Sequence, residues 1–248
     1  MAEKNLIYVL NKKVALHQAP EGFRTSMDSV ILGAACPAKS EESILDLGCG
    51  IGSAGLCAIY RINGATLCGI DIQEDHIKLA NKNAHINDMA GRTTFICSDI
   101  RTAELGTFNH IICNPPYMEA GAHLQSPSPA KAKAMGHIEE NIKLQDWIAC
   151  AHKHIKGQGS LTMIHDAGQI DNIIHALYGK NGGRRFGAVE IIPIYSKRNT
   201  SAKRVIVRAY KHKKSKSVLH TGIIMHEQDG TYTKEADNIL RHAASLFL

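Results

Sequence analysis

From Ser43 onward, short apolar runs rich in branched residues alternate with helical patterns. This alternation is typical of a parallel sheet whose strands are joined by crossover helices, so it predicts an α/β fold. One helix is predicted over residues 74–87, where Ile77, Ala80 and Ala84 recur at helical spacing. Five strands are predicted, each bounded by Gly, Asp, Asn or Pro, over residues 43–47, 66–71, 93–97, 108–113 and 160–165.

Two later strand-like runs, residues 188–195 and 204–210, are joined by the polar, basic segment 196–203. They predict a β-hairpin after the five strand–helix units. The result is a mixed seven-stranded sheet with helices on both faces and an antiparallel last strand, which differs from the six-stranded dinucleotide-binding domains.

A glycine-rich turn follows the first predicted strand and opens a helix, with glycines at positions 48, 50 and 52. Such glycines let the backbone adopt positive φ and approach a ligand closely. The dinucleotide fingerprint needs a further glycine where Ser53 stands, which disfavours NAD and FAD. We predict that Gly48, Gly50 and Gly52 bind a different cofactor, together with Asp46 near the end of the strand.

Acidic residues also mark the ends of the second and third strands, at Asp71 and Asp99. Because the carboxyl ends of parallel strands meet at one edge of the sheet, these acids and Asp46 are expected to converge on one crevice. Asp71 could accept hydrogen bonds from both hydroxyls of a ribose, and Asp99 from the amino group of an adenine. Each acid alone is equally explained as a helix cap or turn residue. Their order and spacing favour cofactor binding.

This pattern, over residues 43–117, resembles the class I S-adenosylmethionine-dependent methyltransferases, which have a Rossmann-like fold. In that family, the residues that match Gly48, Gly50, Asp71 and Asp99 line the cofactor pocket. The resemblance implies that S-adenosyl-L-methionine is the cofactor and that the mixed sheet is the one typical of these enzymes.

The fourth strand is followed, at the same edge, by Asn114-Pro115-Pro116-Tyr117. Two prolines make a stiff turn that projects Asn114 and Tyr117. The lone pair of an amide or aryl amine is delocalised, so the amine attacks well only when acceptors hold its hydrogens. The Asn114 side-chain oxygen and the Pro115 carbonyl can do this, with bonds that strengthen as positive charge develops on the nitrogen. Tyr117 would stack on a planar substrate, and adenine N6 or a glutamine amide would both fit.

Basic residues are concentrated in one segment, since residues 184–216 contain eleven Lys or Arg and one acid, Glu190. The segment therefore carries a charge of +10, and the remainder of the chain −4, to give the net +6. A charge distribution this uneven indicates a polyanion bound to one face. A solvated basic face without a partner is an equally simple explanation of the charge alone.

Three further stretches, residues 21–32, 204–207 and 226–233, resemble the tRNA1(Val) adenine-N6 methyltransferases, bacterial enzymes that modify the adenosine next to the anticodon. The resemblance spans about residues 20–240 and implies tRNA as the partner. It also implies that the stretch 23–28, with Arg24, lies near the methionine end of the cofactor. A helix-capping ion pair would equally explain Arg24 and Asp28. The RNA-facing surface would then include Lys197, Arg198, Lys203, Arg204, Lys211, Lys213 and Lys214.

Other acceptors remain as alternatives. Enzymes that methylate a glutamine side chain of release factors usually have a helical N-terminal domain, whereas 47 residues precede Gly48 here. DNA adenine enzymes usually have Asp in place of Asn114 and a separate target-recognition domain. Ribosomal RNA is a further alternative acceptor. An RNA-binding protein without activity would be expected to have lost the glycines or Asn114.

Several classes of protein are disfavoured by composition. The fourteen histidines lack ligand spacing, so no metal is predicted, and the seven scattered cysteines suggest buried thiols. No apolar segment is long enough to span a membrane, so we expect a cytoplasmic protein without membrane contact, and favour a monomer. A single domain is predicted, with a hairpin and helix over 1–42, a catalytic core over 43–216 and a packed tail over 217–248. Residues 119–133 are predicted to form a mobile loop.

Overall fold

The computed structural model of the protein describes residues 5–19, 25–116, 142–178, 183 and 185–246. The predicted loop over 119–133 lies outside these residues. The strands are β1 Leu6–Val9, β2 Val14–His17, β3 Ser43–Leu47, β4 Thr66–Asp71, β5 Thr93–Cys97, β6 Phe108–Cys113, β7 Ile155–Asp166, β8 Phe186–Tyr195, β9 Ala202–Lys211, β10 Val218–Leu219 and β11 Ile223–Ile224. The helices are α1 Met27–Ala35, α2 Ser53–Arg61, α3 Glu74–Ile86, α4 Leu144–His154, α5 Ile170–Ala176 and α6 Lys234–His242.

In the described part of the chain, β3 to β11 form one nine-stranded sheet in the order β10-β8-β9-β7-β6-β3-β4-β5, with β11 also paired to β8. β9 is antiparallel to β7 and β8, and the other pairs are parallel. The predicted mixed sheet, with the last long strand antiparallel, is confirmed. The predicted count of seven was too low by two, because β10 and β11 have two residues each and are too short to show a strand period.

The first four predicted strands have the predicted bounds, whereas β7 begins at Ile155, before the predicted start at Ser160. The first residues of β7 include Gly157 and Gly159, and Gln158 between them has a φ of 66°. The pairing of β6 with β7 shifts register in the same region. An irregular, glycine-containing strand start has no alternating pattern to detect.

Helices cover both faces of the sheet, as predicted. Successive residues of a strand point to opposite faces, so Ile44 and Leu45 belong to two different buried apolar clusters. Residues of α1, α2, α3 and α6 join the cluster of Ile44, and residues of α4 and α5 join that of Leu45. The sheet therefore lies between two layers of helix.

The hairpin of β1 and β2 is a separate two-stranded sheet that lies against α3. Two asparagines, Asn83 in α3 and Asn87 just after it, bond to the backbone of β2. Asn83 Oδ1 accepts from His17 N at 2.7 Å, and Asn87 Oδ1 accepts from Ala15 N at 2.8 Å. Asn83 Nδ2 also donates to the Ile51 carbonyl, in the turn after β3, at 3.0 Å. On the edge of β2 that does not pair with β1, these side-chain amides form the hydrogen bonds that a second neighbouring strand would form.

Within the described residues, no helix has the length and apolar character needed to cross a membrane. The same residues contain no group of three or more His, Cys, Asp or Glu side chains that could bind a metal ion. All seven cysteines are free thiols, and five of them are buried. The division of the chain at residues 42 and 216 stays a prediction.

Candidate active site

The carboxyl ends of β3, β4, β5 and β6 meet along one side of the sheet, which we call the carboxyl edge. Leu47, the last residue of β3, is in register with Cys113, the last residue of β6. Adjacent strands lie about 4.8 Å apart. The glycine turn after Leu47 and the proline turn after Cys113 therefore begin side by side, so the structure brings the two predicted motifs together.

The glycine turn is built on positive φ angles of 65° at Gly48, 53° at Gly50 and 84° at Gly52. A Cβ at Gly48 would lie 2.4 Å from the ring of Trp147, and one at Gly52 would lie 3.2 Å from the ring of Phe95. A Cβ at Gly50 would meet no atom within 4 Å. Gly48 and Gly52 therefore face the protein, whereas Gly50 faces open space in which a ligand could approach the backbone.

Asp46 lies beneath the glycine turn and is 2% exposed. Its Oδ2 accepts a hydrogen bond from the backbone N–H of Gly55, in the first turn of α2, at 3.0 Å. Burial, reinforced by the nearby carboxylate of Asp71, raises the pKa of Asp46 to about 7. This arrangement fixes α2 against β3, and it supports a role for Asp46 in positioning the turn rather than in touching a ligand.

Asp71, the last residue of β4, links the glycine turn to the next loop. Its Oδ2 accepts from the backbone N–H of Gly50 at 2.9 Å, and its Oδ1 accepts from that of Gln73 at 2.9 Å. His76 Nδ1 lies 3.3 Å from the same Oδ1. Because a carboxylate has about four acceptor positions, these contacts leave room for a further donor.

Asp99, after β5, is held by Arg101. The Arg101 Nε lies 3.0 Å from both carboxylate oxygens, and its Nη2 lies 2.5 Å from Oδ2. The hydrogen bonds from Arg101 hold the pKa of Asp99 below its ordinary value. Asp99 is therefore a fixed carboxylate, and any amino group that it binds would share it with this guanidinium.

The proline turn leaves the core directly after β6. Cys113 is fully buried, Asn114 is half-buried, Pro115 is buried and Pro116 is exposed. The strand end is thus anchored while the turn reaches the surface beside the glycine turn. Tyr117 lies outside the described residues, so its stacking role stays a prediction.

The chain that enters α1 passes the start of α2. The hydroxyls of Thr25 and Ser53 lie 2.7 Å apart, and Ser53 is the first residue of α2 after the glycine turn. Arg24 lies outside the described residues, so its predicted contact with the cofactor stays a prediction. The position of Thr25 supports the expectation that this stretch runs past the cofactor turn.

The start of α1 is also tied to the β8–β9 hairpin, far along the chain. Arg204 Nε lies 3.0 Å from Asp28 Oδ2, and Arg204 Nη1 lies 3.3 Å from Asp166 Oδ2. Arg204, predicted to bind RNA, therefore joins α1, β7 and β9. The structure thus shows an ion pair at Asp28 with Arg204 as the partner. The alternative of a helix-capping pair of Arg24 with Asp28 stays untested, because Arg24 lies outside the described residues.

The tail segment 226–232 reaches the same place. His226 and Tyr232 form an antiparallel bridge, and their rings stack with centroids 5.0 Å apart. The Tyr232 hydroxyl lies 3.6 Å from Met27 Sδ in α1, and Lys197 Nζ donates to the Gln228 carbonyl at 3.0 Å. The described parts of the three flanking stretches that carried the family resemblance thus meet at the carboxyl edge.

The seven basic residues predicted to bind RNA form two groups. Lys197, Arg198, Lys203 and Arg204 lie in or beside the β8–β9 turn, which is at the carboxyl edge because Arg204 pairs with Asp166. The other group, at the opposite or amino edge, consists of Lys211, Lys213 and Lys214. Since β9 has ten residues, the groups lie about 30 Å apart. Lys211 Nζ donates to the carbonyls of His152 in α4 and Ile155 at the start of β7, so this side chain is part of the protein's own framework.

Four residues of the site were missed by the sequence analysis. Arg101 could have been found, because it follows Asp99 by two positions, and His76 could have been placed near Asp71 by its position in the first turn of α3. Trp147 and Phe95 pack against glycines that are distant in sequence. Such packing has no local signal.

Residues 25–180 of the chain match the family model described as the methyltransferase small domain. A curated relative from Shewanella sp. (strain W3-18-1), named tRNA1(Val) (adenine(37)-N6)-methyltransferase, is 28% identical over 190 residues, which are 75% of this chain and 76% of that protein. A relative of the same name from Shewanella baltica (strain OS185) is 26% identical over 229 residues, 89% of this chain and 91% of that protein. The resemblance stated from the sequence is thereby confirmed.

The fold is also found in a solved structure, described as a predicted O-methyltransferase from Agrobacterium tumefaciens. The TM-score is 0.71 at 23% sequence identity, over 88% of this chain and 97% of that one. At this identity the likeness shows the class I methyltransferase fold alone.

Proposed function

We propose, from the premise that this chain belongs to the methyltransferase small domain family, that it methylates the N6 amine of adenine 37 in tRNA1(Val). The chain is an S-adenosylmethionine-dependent methyltransferase. The names of the relatives support the acceptor. The observation that carries the proposal is the register of Leu47 with Cys113, which sets the glycine turn beside the Asn-Pro-Pro turn.

The residues around the glycine turn fit this cofactor. Gly50 faces open space, Asp71 has acceptor capacity left for ribose hydroxyls, and Asp99 is a fixed carboxylate suited to an adenine amino group. Gly48, Gly52 and Asp46 hold the turn from beneath, and Arg24 would lie toward the methionine end. When bound, the cofactor would supply a methyl group attached to a sulfonium sulfur. This sulfur is a good leaving group, so the transfer needs no strong general base.

In the proposed reaction, Asn114 and Pro115 hold the amine. The Asn114 side-chain oxygen and the Pro115 carbonyl accept its two hydrogens, which directs the nitrogen lone pair toward the methyl carbon. With the cofactor bound, attack by the nitrogen would form the nitrogen–carbon bond as the carbon–sulfur bond broke, and the proton would then pass from the nitrogen to water. Pro116 keeps the turn stiff, and in this proposal Tyr117 would stack on the adenine.

Lys197, Arg198 and Lys203 would neutralise phosphates beside the carboxyl edge. Contacts of this kind position an RNA without reading its sequence. The target adenine must leave its stack to reach the proline turn, and a base in a loop leaves more easily than one in a duplex. A loop adenosine next to the anticodon meets this requirement.

The test is methyl transfer from labelled S-adenosylmethionine to unmodified tRNA1(Val), ribosomal RNA, DNA and a release factor, each supplied separately. After digestion, mass spectrometry should find N6-methyladenosine in the tRNA alone. Asn114→Ala should lower the rate by about 100- to 1,000-fold, because it removes one of the two acceptors, with cofactor affinity unchanged. Asn238→Ala, an exposed asparagine of α6, is the matched control.

Other outcomes would contradict the proposal in different ways. Label in glutamine, ribosomal RNA or DNA would keep the catalytic argument and overturn the acceptor. Cofactor binding without transfer to any acceptor would indicate an RNA-binding protein without activity.

A further inference from the structure

Lys213, Lys214 and Lys216 form an exposed group at the amino edge, which we call the distal lysine cluster. Across the described ranges, no carboxylate lies within 4.0 Å of any of the three ammonium groups. Lys156, also exposed, adds a fourth positive charge near the same edge, where its Nζ donates to Asn109 Oδ1 at 2.9 Å. The cluster is therefore a net positive surface.

The backbone of this cluster is held by its neighbours. A Cβ at Gly187 would lie 2.0 Å from the Lys213 carbonyl, so the two backbone segments are in close contact. Lys213 Nζ lies 3.9 Å from the centroid of the Tyr210 ring. Just before the cluster, Lys211 Nζ donates to carbonyls on both sides of the junction between α4 and β7. Because the segment is already ordered, binding a phosphate there costs less conformational entropy than it would on a flexible tail.

The position of the cluster limits what it can bind. It lies about 30 Å from the β8–β9 turn, since the ten residues of β9 separate the two. A nucleotide whose base reaches the proline turn cannot place its own phosphate at this distance. Any phosphate on the cluster must belong to a part of the RNA that is remote from the target base.

We propose that the distal lysine cluster binds phosphates of the tRNA outside the anticodon arm, while Lys197, Arg198 and Lys203 contact the arm itself. This inference rests on the proposed tRNA acceptor. The substrate is then bound at two surfaces on opposite edges of one sheet. An isolated anticodon stem-loop can occupy only the surface at the carboxyl edge.

The test compares two RNAs and two triple variants. The variant Lys213→Gln, Lys214→Gln, Lys216→Gln removes the cluster, and Lys12→Gln, Lys13→Gln, Lys82→Gln removes three exposed lysines elsewhere as a control of equal charge. Affinities for full-length tRNA1(Val) and for its anticodon stem-loop are measured by fluorescence anisotropy between about 50 and 200 mM salt. Methylation of both RNAs is measured with the same protein.

The cluster variant should show a weaker salt dependence with full-length tRNA. Three phosphate contacts account for about a 40-fold loss of affinity over this fourfold rise in salt, and the variant should lack that loss. Its affinity for the stem-loop should equal that of the wild type. The control variant should behave as the wild type with both RNAs.

If the cluster variant changes the salt dependence of affinity equally for both RNAs, or leaves it unchanged for full-length tRNA, this inference is wrong. Methylation of the tRNA by the wild type would still support the proposed function in that case. If the wild type methylates neither RNA, the proposed function fails instead. Thermal unfolding of the variants checks that the exposed substitutions leave the fold unchanged.

Discussion

Asp46 should make the stability of this protein fall as the pH rises through neutrality. The ordinary pKa of its carboxyl is 3.8, and burial raises the folded-state pKa to about 7. Between these values the folded protein holds a proton that the unfolded chain releases. The stabilisation is therefore fully present below about pH 4 and is lost as the pH rises through about 7. A separation of about three pH units corresponds to about 4 kcal/mol, of which about 3 kcal/mol is lost between pH 5 and pH 8.

The substitution Asp46→Asn isolates this effect. An amide keeps an oxygen that can accept from the backbone N–H of Gly55, but it does not titrate. We expect the free energy of unfolding of the variant, relative to that of the wild type, to increase by about 3 kcal/mol between pH 5 and pH 8. The assay is urea denaturation followed by circular dichroism at pH 5, 6.5 and 8, in which the other titrating groups cancel in the difference.

Asp99→Asn is the matched control, since the Arg101 contact lowers the pKa of Asp99. Its stabilising ionisation is present above the ordinary pKa and is lost only as the pH falls through the lowered folded-state value. The difference between this variant and the wild type should therefore be constant from pH 5 to pH 8. If Asp46→Asn also gives a constant difference, Asp46 ionises normally in the folded protein and the burial argument is wrong.

Two further predictions concern the glycine turn and the helix beside it. Gly50→Ala should cost about 1–2 kcal/mol of stability through its positive φ and lower cofactor affinity at least about 10-fold in calorimetry, because its Cβ enters the open space. Gly91→Ala is the control, because its Cβ would also face open space, and it should leave cofactor affinity unchanged. If Gly50→Ala also leaves the affinity unchanged, the cofactor binds elsewhere. Asn83→Ala removes bonds to β2 and the turn, so its Tm in a thermal melt should fall by about 6 °C. Asn81→Ala loses one hydrogen bond within α3, so its Tm should fall by less. Equal decreases in Tm for the two variants would contradict the bridging role of Asn83.

Strands β3 to β6 could be predicted because the sequence pattern that marks each of them is local. β3, β4, β5 and β6 are short apolar runs that end at polar or glycine residues, and each needs only its own sequence to be found. β10 and β11 are strands only because β8 offers them an edge. A segment whose structure depends on a partner supplied by the rest of the fold has no period of its own.

The candidate site shows the same division. Asp71 ends a strand, and Gly50 and Asn114 follow strands, whose ends the topology brings to one edge, so the sequence was sufficient to place them together. The contact of Arg204 with Asp28 depends on tertiary structure that the sequence does not show. The charge of residues 184–216 alone predicted that their basic side chains form one surface. A ten-residue strand carries its two ends to opposite edges of the sheet, and this separates the lysines.

The meeting of α1 with the hairpin and the tail has a consequence for biosynthesis. The Met27–Tyr232 and Asp28–Arg204 contacts join residues 205 and 176 positions apart. At about 5–20 residues per second, the ribosome would take about 10–40 s to supply Tyr232 after Met27 has been made. During that interval the start of α1 lacks these partners, and a nascent chain can pair β3 to β7 before this edge closes.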